Sequence, residues 1–84
     1  MAVIEMYMRP TCPYCHGARR LLAAKGQEWS EFDVSAEPQR REEMIRRSGR
    51  STVPQIWIGS RHVGGYDDLA ALDQSGELDR LLAA

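Results

Sequence analysis

Val3-Ile4-Glu5-Met6-Tyr7-Met8-Arg9-Pro10-Thr11-Cys12-Pro13-Tyr14-Cys15 is the stretch from which the rest of this sequence can be read. Val3 to Met8 alternate with a period near two and are rich in strand formers, which predicts a buried strand. Arg9-Pro10-Thr11 breaks it. Pro13 suits the first turn of a helix, because the N–H it lacks would have no intrahelical partner there. Ala18, Leu21 and Leu22 follow at helical spacing, Arg19 and Arg20 are expected to face water, and Gly26 ends the helix. The chain therefore opens with a strand that runs into a helix through a Cys-x-x-Cys pair.

Working outward, Trp29 to Val34 alternate again and predict a second strand. Ser35 to Pro38 is a helix-start cluster, followed by a charged helix that buries Met44 and Ile45 and stops at Gly49. Val53-Pro54-Gln55-Ile56-Trp57-Ile58 predicts a third strand, Gly59-Ser60 a turn, and Arg61-His62-Val63 a short fourth strand. Gly64-Gly65 leads into a last helical region that offers Leu69, Leu72, Leu78, Leu81 and Leu82 for burial and is interrupted at Gly76. The order is β-α-β-α-β-β-α, an α/β domain spanning residues 1–84. The first two strands should be parallel with a right-handed crossover, and the last two should form a hairpin. Pro54 opens a strand that otherwise reads as central, where proline is unwelcome. A cis Val53–Pro54 bond would relieve this, but only ~5–6% of such bonds are cis, so frequency alone favours trans.

Composition removes several function classes. Eleven basic and 12 acidic residues give a net charge of −1, which leaves no footprint for nucleic acid and no polybasic membrane anchor. No signal peptide is visible and no apolar run is long enough for a membrane span, so a cytoplasmic location is expected. Two cysteines in 84 residues do not make a secreted disulfide scaffold, and their loop is too short to staple a fold. Redox chemistry and half of a metal site are the readings that survive. Cys12-Pro13-Tyr14-Cys15-His16 also matches the haem-attachment pattern, but the strand-rich context does not fit it. A zinc site from Cys12, Cys15, His16 and His62 is the other rival. Adjacent Cys15 and His16 are poorly placed for one tetrahedral ion, so no metal ligand is assigned.

A disulfide exchanger needs one thiolate at a positive electrostatic end and a second thiol one turn away. Cys12, at the start of the first helix, would have its anion stabilised by free helix N–H groups and the helix dipole. Cys15, inside the first turn, would lie beneath it. These positions assign Cys12 as nucleophile and Cys15 as resolving thiol. Stabilising a thiolate lowers its nucleophilicity with a Brønsted slope of ~0.4–0.5 while making it a better leaving group, so Cys12 gains more in departure than in attack.

Three motifs in order, Cys12-Pro13-Tyr14-Cys15, Thr52-Val53-Pro54 and Gly64-Gly65-Tyr66-Asp67-Asp68, make nearly the whole chain resemble the glutaredoxins of the short bacterial dithiol kind. The resemblance implies a thioredoxin-like fold, a four-stranded mixed sheet flanked by three helices, with Pro54 cis beside the cysteines. It implies glutathione as co-substrate with no tightly bound cofactor. Arg9 and Arg41 would then face the glycine carboxylate of glutathione, and Val53, beside Thr52, would pair main chain to main chain with its cysteinyl unit. Gly65, Tyr66, Asp67 and Asp68 would receive the γ-glutamyl end at a helix start, and Tyr14 would pack on the ligand. Asp67 and Asp68 could equally serve as ordinary helix-start acids. Tyr66 stands where bacterial relatives often carry cysteine, so this chain has no third thiol. The implied partners are glutathionylated or disulfide-bonded proteins, ribonucleotide reductase among the family's substrates, and the implied state is a monomer. An iron–sulfur cluster shared by two copies is disfavoured by Pro13. Reduction by thioredoxin reductase instead of glutathione is the alternative within the same chemistry, and the paired glycines, the acids and the cations argue for glutathione.

Overall fold

The computed structural model describes residues 2–83. In chain order they form β1 (Ile4–Met8), α1 (Pro13–Ala24), β2 (Ser30–Asp33), α2 (Pro38–Ser48), β3 (Gln55–Ile58), β4 (Arg61–Gly64), α3 (Tyr66–Ser75) and α4 (Glu77–Ala83). The strands make one sheet in the order β2-β1-β3-β4. β1 pairs in parallel with β2 and antiparallel with β3, and β3 pairs antiparallel with β4. This is the mixed sheet that the resemblance implies. The last helical region divides at Gly76, whose φ of 82° lies in the left-handed region, so α3 and α4 are separate helices.

The period-two alternation of β1 sorts the core into two layers. Ile4, Met6 and Met8 face Cys15, Ala18 and Leu22 of α1, together with Leu69, Leu78 and Leu82 of α3 and α4. Tyr7 points the other way, to Val34, Met44 and Trp57 under α2. β3 alternates in step: Ile56 and Ile58 join the first layer and Trp57 the second. Each fully buried large side chain contributes roughly 1.5–3 kcal/mol, so a chain this short depends on both faces of its sheet.

The ladder of β3 begins at Gln55, opposite Tyr7 of β1. Two residues fewer than expected pair here, because Pro54 has no N–H to give. The Val53–Pro54 bond is cis, as the resemblance implies and against the bare frequency. β2 likewise starts one residue later than its alternation suggests, at Ser30. No described helix is long and apolar enough to cross a membrane.

Arg19, expected to face water, and two arginines of α2 are held by specific partners. Arg19 of α1 holds Glu31 of β2 through two nitrogens, at 2.6 and 3.2 Å. Arg47 of α2 lies 4.1 Å over the Trp57 ring and donates to the Tyr7 hydroxyl at 2.8 Å. Arg40 lies 4.0 Å over the Phe32 ring. In two cases the guanidinium stacks on an aromatic ring, and in the third it forms a forked pair with a carboxylate. The Tyr7 hydroxyl also donates to Glu43. Its pKa is raised, first by burial and then by that carboxylate.

Tyr7→Phe should leave Glu43 and Arg47 facing each other without the hydroxyl that links them. We expect a loss of about 1–3 kcal/mol, seen as a lower urea midpoint at unchanged slope. An unchanged midpoint would show that the linkage adds nothing.

Candidate active site

Cys12 is the N-cap of α1, in extended backbone geometry with φ −87° and ψ 116°. Its amide donates to the Arg9 carbonyl at 3.3 Å, which closes the turn after β1. Its sulfur accepts from the Cys15 amide at 3.2 Å, and its thiol lies 3.7 Å from the Val53 carbonyl of the segment ahead of β3. The first turn of α1 holds no acidic residue, so nothing there opposes negative charge on the sulfur. Both cysteines are free thiols.

The second thiol is in a different environment. Cys15 is fully buried against β1, and its pKa is pushed up to about 12, first by burial and then by the hydrogen bond with the Cys12 sulfur. One helical turn thus carries a partly exposed sulfur at the helix N-cap and an enclosed one that burial keeps protonated.

Alongside lies a cavity of about 220 Å³, lined by Tyr14, Arg50, Thr52, Val53, Pro54, Gln55, Gly65, Tyr66, Asp67 and Asp68. It brings together eight of the ten residues the resemblance singles out around the cysteines. Arg9 and Arg41 do not line it and are exposed on the surface. The cavity wall comes from three separated segments: the first turn of α1, the loop from α2 to β3, and the start of α3.

Asp68 organises the third segment. Its carboxylate accepts from the Gly65 amide at 3.0 Å and from Arg50 at 3.1 Å, and these partners, the amide first, lower its pKa. Gly64 is the glycine this arrangement requires. Its φ is 115°, and a Cβ there would collide with the Asp68 carboxylate. Gly65 has room for a side chain, with only the Pro54 carbonyl at 3.5 Å from a Cβ built there.

Three contributors were not legible in the sequence. Arg50, just past the end of α2, supplies the cavity's cation. Gly17 of α1 lets the Tyr66 ring approach the helix closely, since a Cβ there would stand 3.0 Å from that ring. Tyr66 in turn stands 6.5 Å from exposed Tyr14, centroid to centroid. Gln55, the third, contributes a buried amide. A lone glycine inside an apolar helix stripe is the one signal that could have flagged Gly17.

The two histidines are engaged elsewhere. His16 Nε2 contacts the Pro10 carbonyl at 3.0 Å, while its Nδ1 faces Arg19 at 2.9 Å. His62 Nε2 contacts Gln55 at 2.7 Å. Among the described residues no group of three or more His, Cys, Asp or Glu is placed to hold a metal ion.

Residues 4–63 match the family model of glutaredoxin. The chain is 55% identical over 82 residues to Glutaredoxin 3 of Escherichia coli strain K12, covering 98% of this chain and 99% of that protein. Among solved structures, the solution structure of glutaredoxin from Brucella melitensis matches with a TM-score of 0.85 at 58% identity, over 98% of this chain and 89% of that one. The buckwheat glutaredoxin–glutathione complex matches with a TM-score of 0.90 at 22% identity, over 98% and 77%, which is a likeness of fold.

The unequal thiols can be tested directly. Brief treatment of the reduced, folded protein with iodoacetamide at neutral pH should add one adduct by intact mass, mapped to Cys12 by peptide analysis. Adducts forming on Cys12 and Cys15 at similar rates would contradict the burial of Cys15.

Proposed function

Because the chain belongs to the glutaredoxin family, whose members are thiol oxidoreductases with a redox-active cysteine pair, we propose that it uses glutathione to reduce protein–glutathione mixed disulfides through Cys12 alone and protein disulfides through Cys12 with Cys15. The observation that carries this reading is a cavity with a cation, a carboxylate and the start of α3, opening beside two thiols of unequal access. Glutathione has matching chemistry. Its γ-glutamyl end is a zwitterion, for which Asp68 offers an acceptor to the ammonium. Arg50 and the amides opening α3 offer donors to the carboxylate. The Val53 main chain would pair with the cysteinyl unit, and Thr52, Pro54, Gly65 and Tyr66 shape the walls. Arg9 and Arg41, outside the cavity, would act only on the far glycine carboxylate. The same fold carries glutathione in the buckwheat complex.

In the one-thiol branch the Cys12 thiolate attacks the glutathione sulfur of a mixed disulfide. The Cys12–glutathione bond forms, the old S–S bond breaks, and the protein thiolate leaves and takes a proton from solvent. A second glutathione thiolate then attacks that same glutathione sulfur, releasing oxidised glutathione and regenerating the Cys12 thiolate. In the two-thiol branch the Cys12 thiolate attacks one sulfur of a substrate disulfide. The Cys12–substrate bond forms as the substrate S–S bond breaks, and the other substrate sulfur leaves as a thiolate. Cys15 then gives its proton to solvent and attacks the Cys12 sulfur. The second substrate thiol departs and an internal disulfide remains for two glutathiones to reduce. Charge on Cys12 is among the causes that keep Cys15 protonated. Consuming that charge in the first step makes the second thiol easier to ionise when it is needed. Glutaredoxin potentials of roughly −200 to −230 mV sit near the cytosolic glutathione poise, so both directions are open. Such a role belongs in a reducing compartment, the cytoplasm, and needs no tightly bound cofactor.

A coupled assay on one preparation tests the electron source: turnover of a glutathionylated peptide with glutathione and glutathione reductase is expected, and activity only with thioredoxin reductase would overturn the reading. Cys15→Ser should keep deglutathionylation and lose protein-disulfide reduction, whereas Cys12→Ser should lose both. Arg50→Met should raise KM for the glutathionylated peptide roughly three- to tenfold with kcat little changed.

A further inference from the structure

Gln55 is the buried polar residue of the described core, with 1% of its surface exposed. The proposed chemistry makes no use of its side chain. A buried amide must spend its donors and acceptor on partners, and this one does so in a fixed direction. Nε2 donates to the Thr52 carbonyl at 3.1 Å and lies 3.3 Å from the Thr52 hydroxyl. Oε1 faces His62 Nε2 at 2.7 Å. Reversing the amide would set its oxygen against the Thr52 carbonyl, acceptor against acceptor. The oxygen therefore belongs on the His62 side, and His62 must present an N–H at Nε2. The ring itself is held by stacking on Trp57, with centroids 4.6 Å apart and planes 29° from parallel. Burial and the charge of Arg50 lower the pKa of His62 and favour the neutral ring.

These contacts form a relay from β4 to the cavity. Trp57 and His62 orient Gln55, Gln55 holds Thr52 from behind, and the next residue is Val53, whose carbonyl stands 3.7 Å from the Cys12 sulfur. We propose that Gln55, oriented by His62, is a positioning residue for disulfide exchange, fixing the Thr52-Val53 main-chain edge on which the mixed disulfide lies. The inference rests on the reading of that edge as the glutathione contact. The rival is simple: Gln55 merely fills space at the start of β3.

Two near-isosteric variants separate these. Gln55→Glu keeps volume and the His62 contact but turns a carboxylate oxygen on the Thr52 carbonyl. Gln55→Met keeps volume and removes both bonds. Each should raise KM for a glutathionylated peptide about tenfold, the loss expected when the buried amide no longer holds the Thr52 carbonyl. Values of kcat should stay within about twofold, and the alkylation rate of Cys12 should not move. His62→Phe, which keeps the stack on Trp57 and removes the N–H, is the milder companion should Gln55 variants fail to fold. It should raise KM in the same direction by less. Nitrogen NMR of the wild-type protein should find His62 as the Nε2-protonated tautomer, and Gln55→Met should abolish protection of that ring proton. Unchanged KM in every folded variant, a rise in Gln55→Met without one in Gln55→Glu, or an Nδ1-protonated His62 would each overturn the proposal. A wild-type protein that does not turn over with glutathione would instead overturn the functional reading. The tautomer, and the Thr52 and Val53 amide shifts of the variants, would then decide the positioning claim.

Discussion

One hydrogen bond, from the Cys15 amide to the Cys12 sulfur, joins the chemistry of this protein to its fold. It exists only because β1 stops at Met8, the Arg9–Thr11 turn lifts the chain over the sheet, and Pro13 starts a helix whose first amides are free. The helix cannot rotate to avoid it. Cys15, Ala18 and Leu22 all face the Ile4–Met6–Met8 side of β1, so rotation would expose the core of α1. The sulfur of Cys12 is thereby held at the carboxyl end of β1 and its parallel neighbour, where α/β sheets commonly place their sites. The burial that fixes the helix also shields Cys15. Inequality of the two thiols follows from packing and needs no dedicated residue.

The opposite wall of the site depends on polar satisfaction. Among the described residues no buried side-chain nitrogen or oxygen lacks a partner, and the buried or half-buried polar groups form short relays. Tyr7 joins Arg47 and Glu43 beneath α2. Asp68 joins the Gly65 amide to Arg50. Gln55 joins His62 to Thr52. The first ties a strand to a helix, and the other two tie a helix start or a strand to a loop and end on the cavity. Leaving a buried member such as the Gln55 amide or the Tyr7 hydroxyl without its partner costs about 1–3 kcal/mol, a large fraction of the stability of a small domain. Loop geometry around the cysteines is therefore maintained by the same terms that keep the core intact.

Tyr66 shows how a site tolerates an unusual residue. A bulky side chain at the opening of α3 could have filled the cavity, but it lies on Gly17 and lines the wall beside Tyr14. The missing Cβ of one helix makes room for the ring of another.

The order of strands and helices, the helix start at Cys12 and Pro13, and the breaks at Gly49 and Gly76 were all readable from the chain itself. They depend on period, capping and turn chemistry within a few residues. The motif resemblance added the cis bond at Pro54, which local frequency alone would have missed. Which arginines are free was not readable. Arg19 and Arg47 occupy helix positions that look solvated, yet each meets a partner supplied by a strand far away in sequence. Nor could spacing show that Gly64 and not Gly65 must lack a side chain, or that Arg50, Gly17 and Gln55 belong to the site. Those facts depend on which face of the sheet each element covers and on how close two backbones come. Only the tertiary structure decided them, because hydrogen bonds and steric contacts act between atoms in space, whereas the sequence orders those atoms along one line.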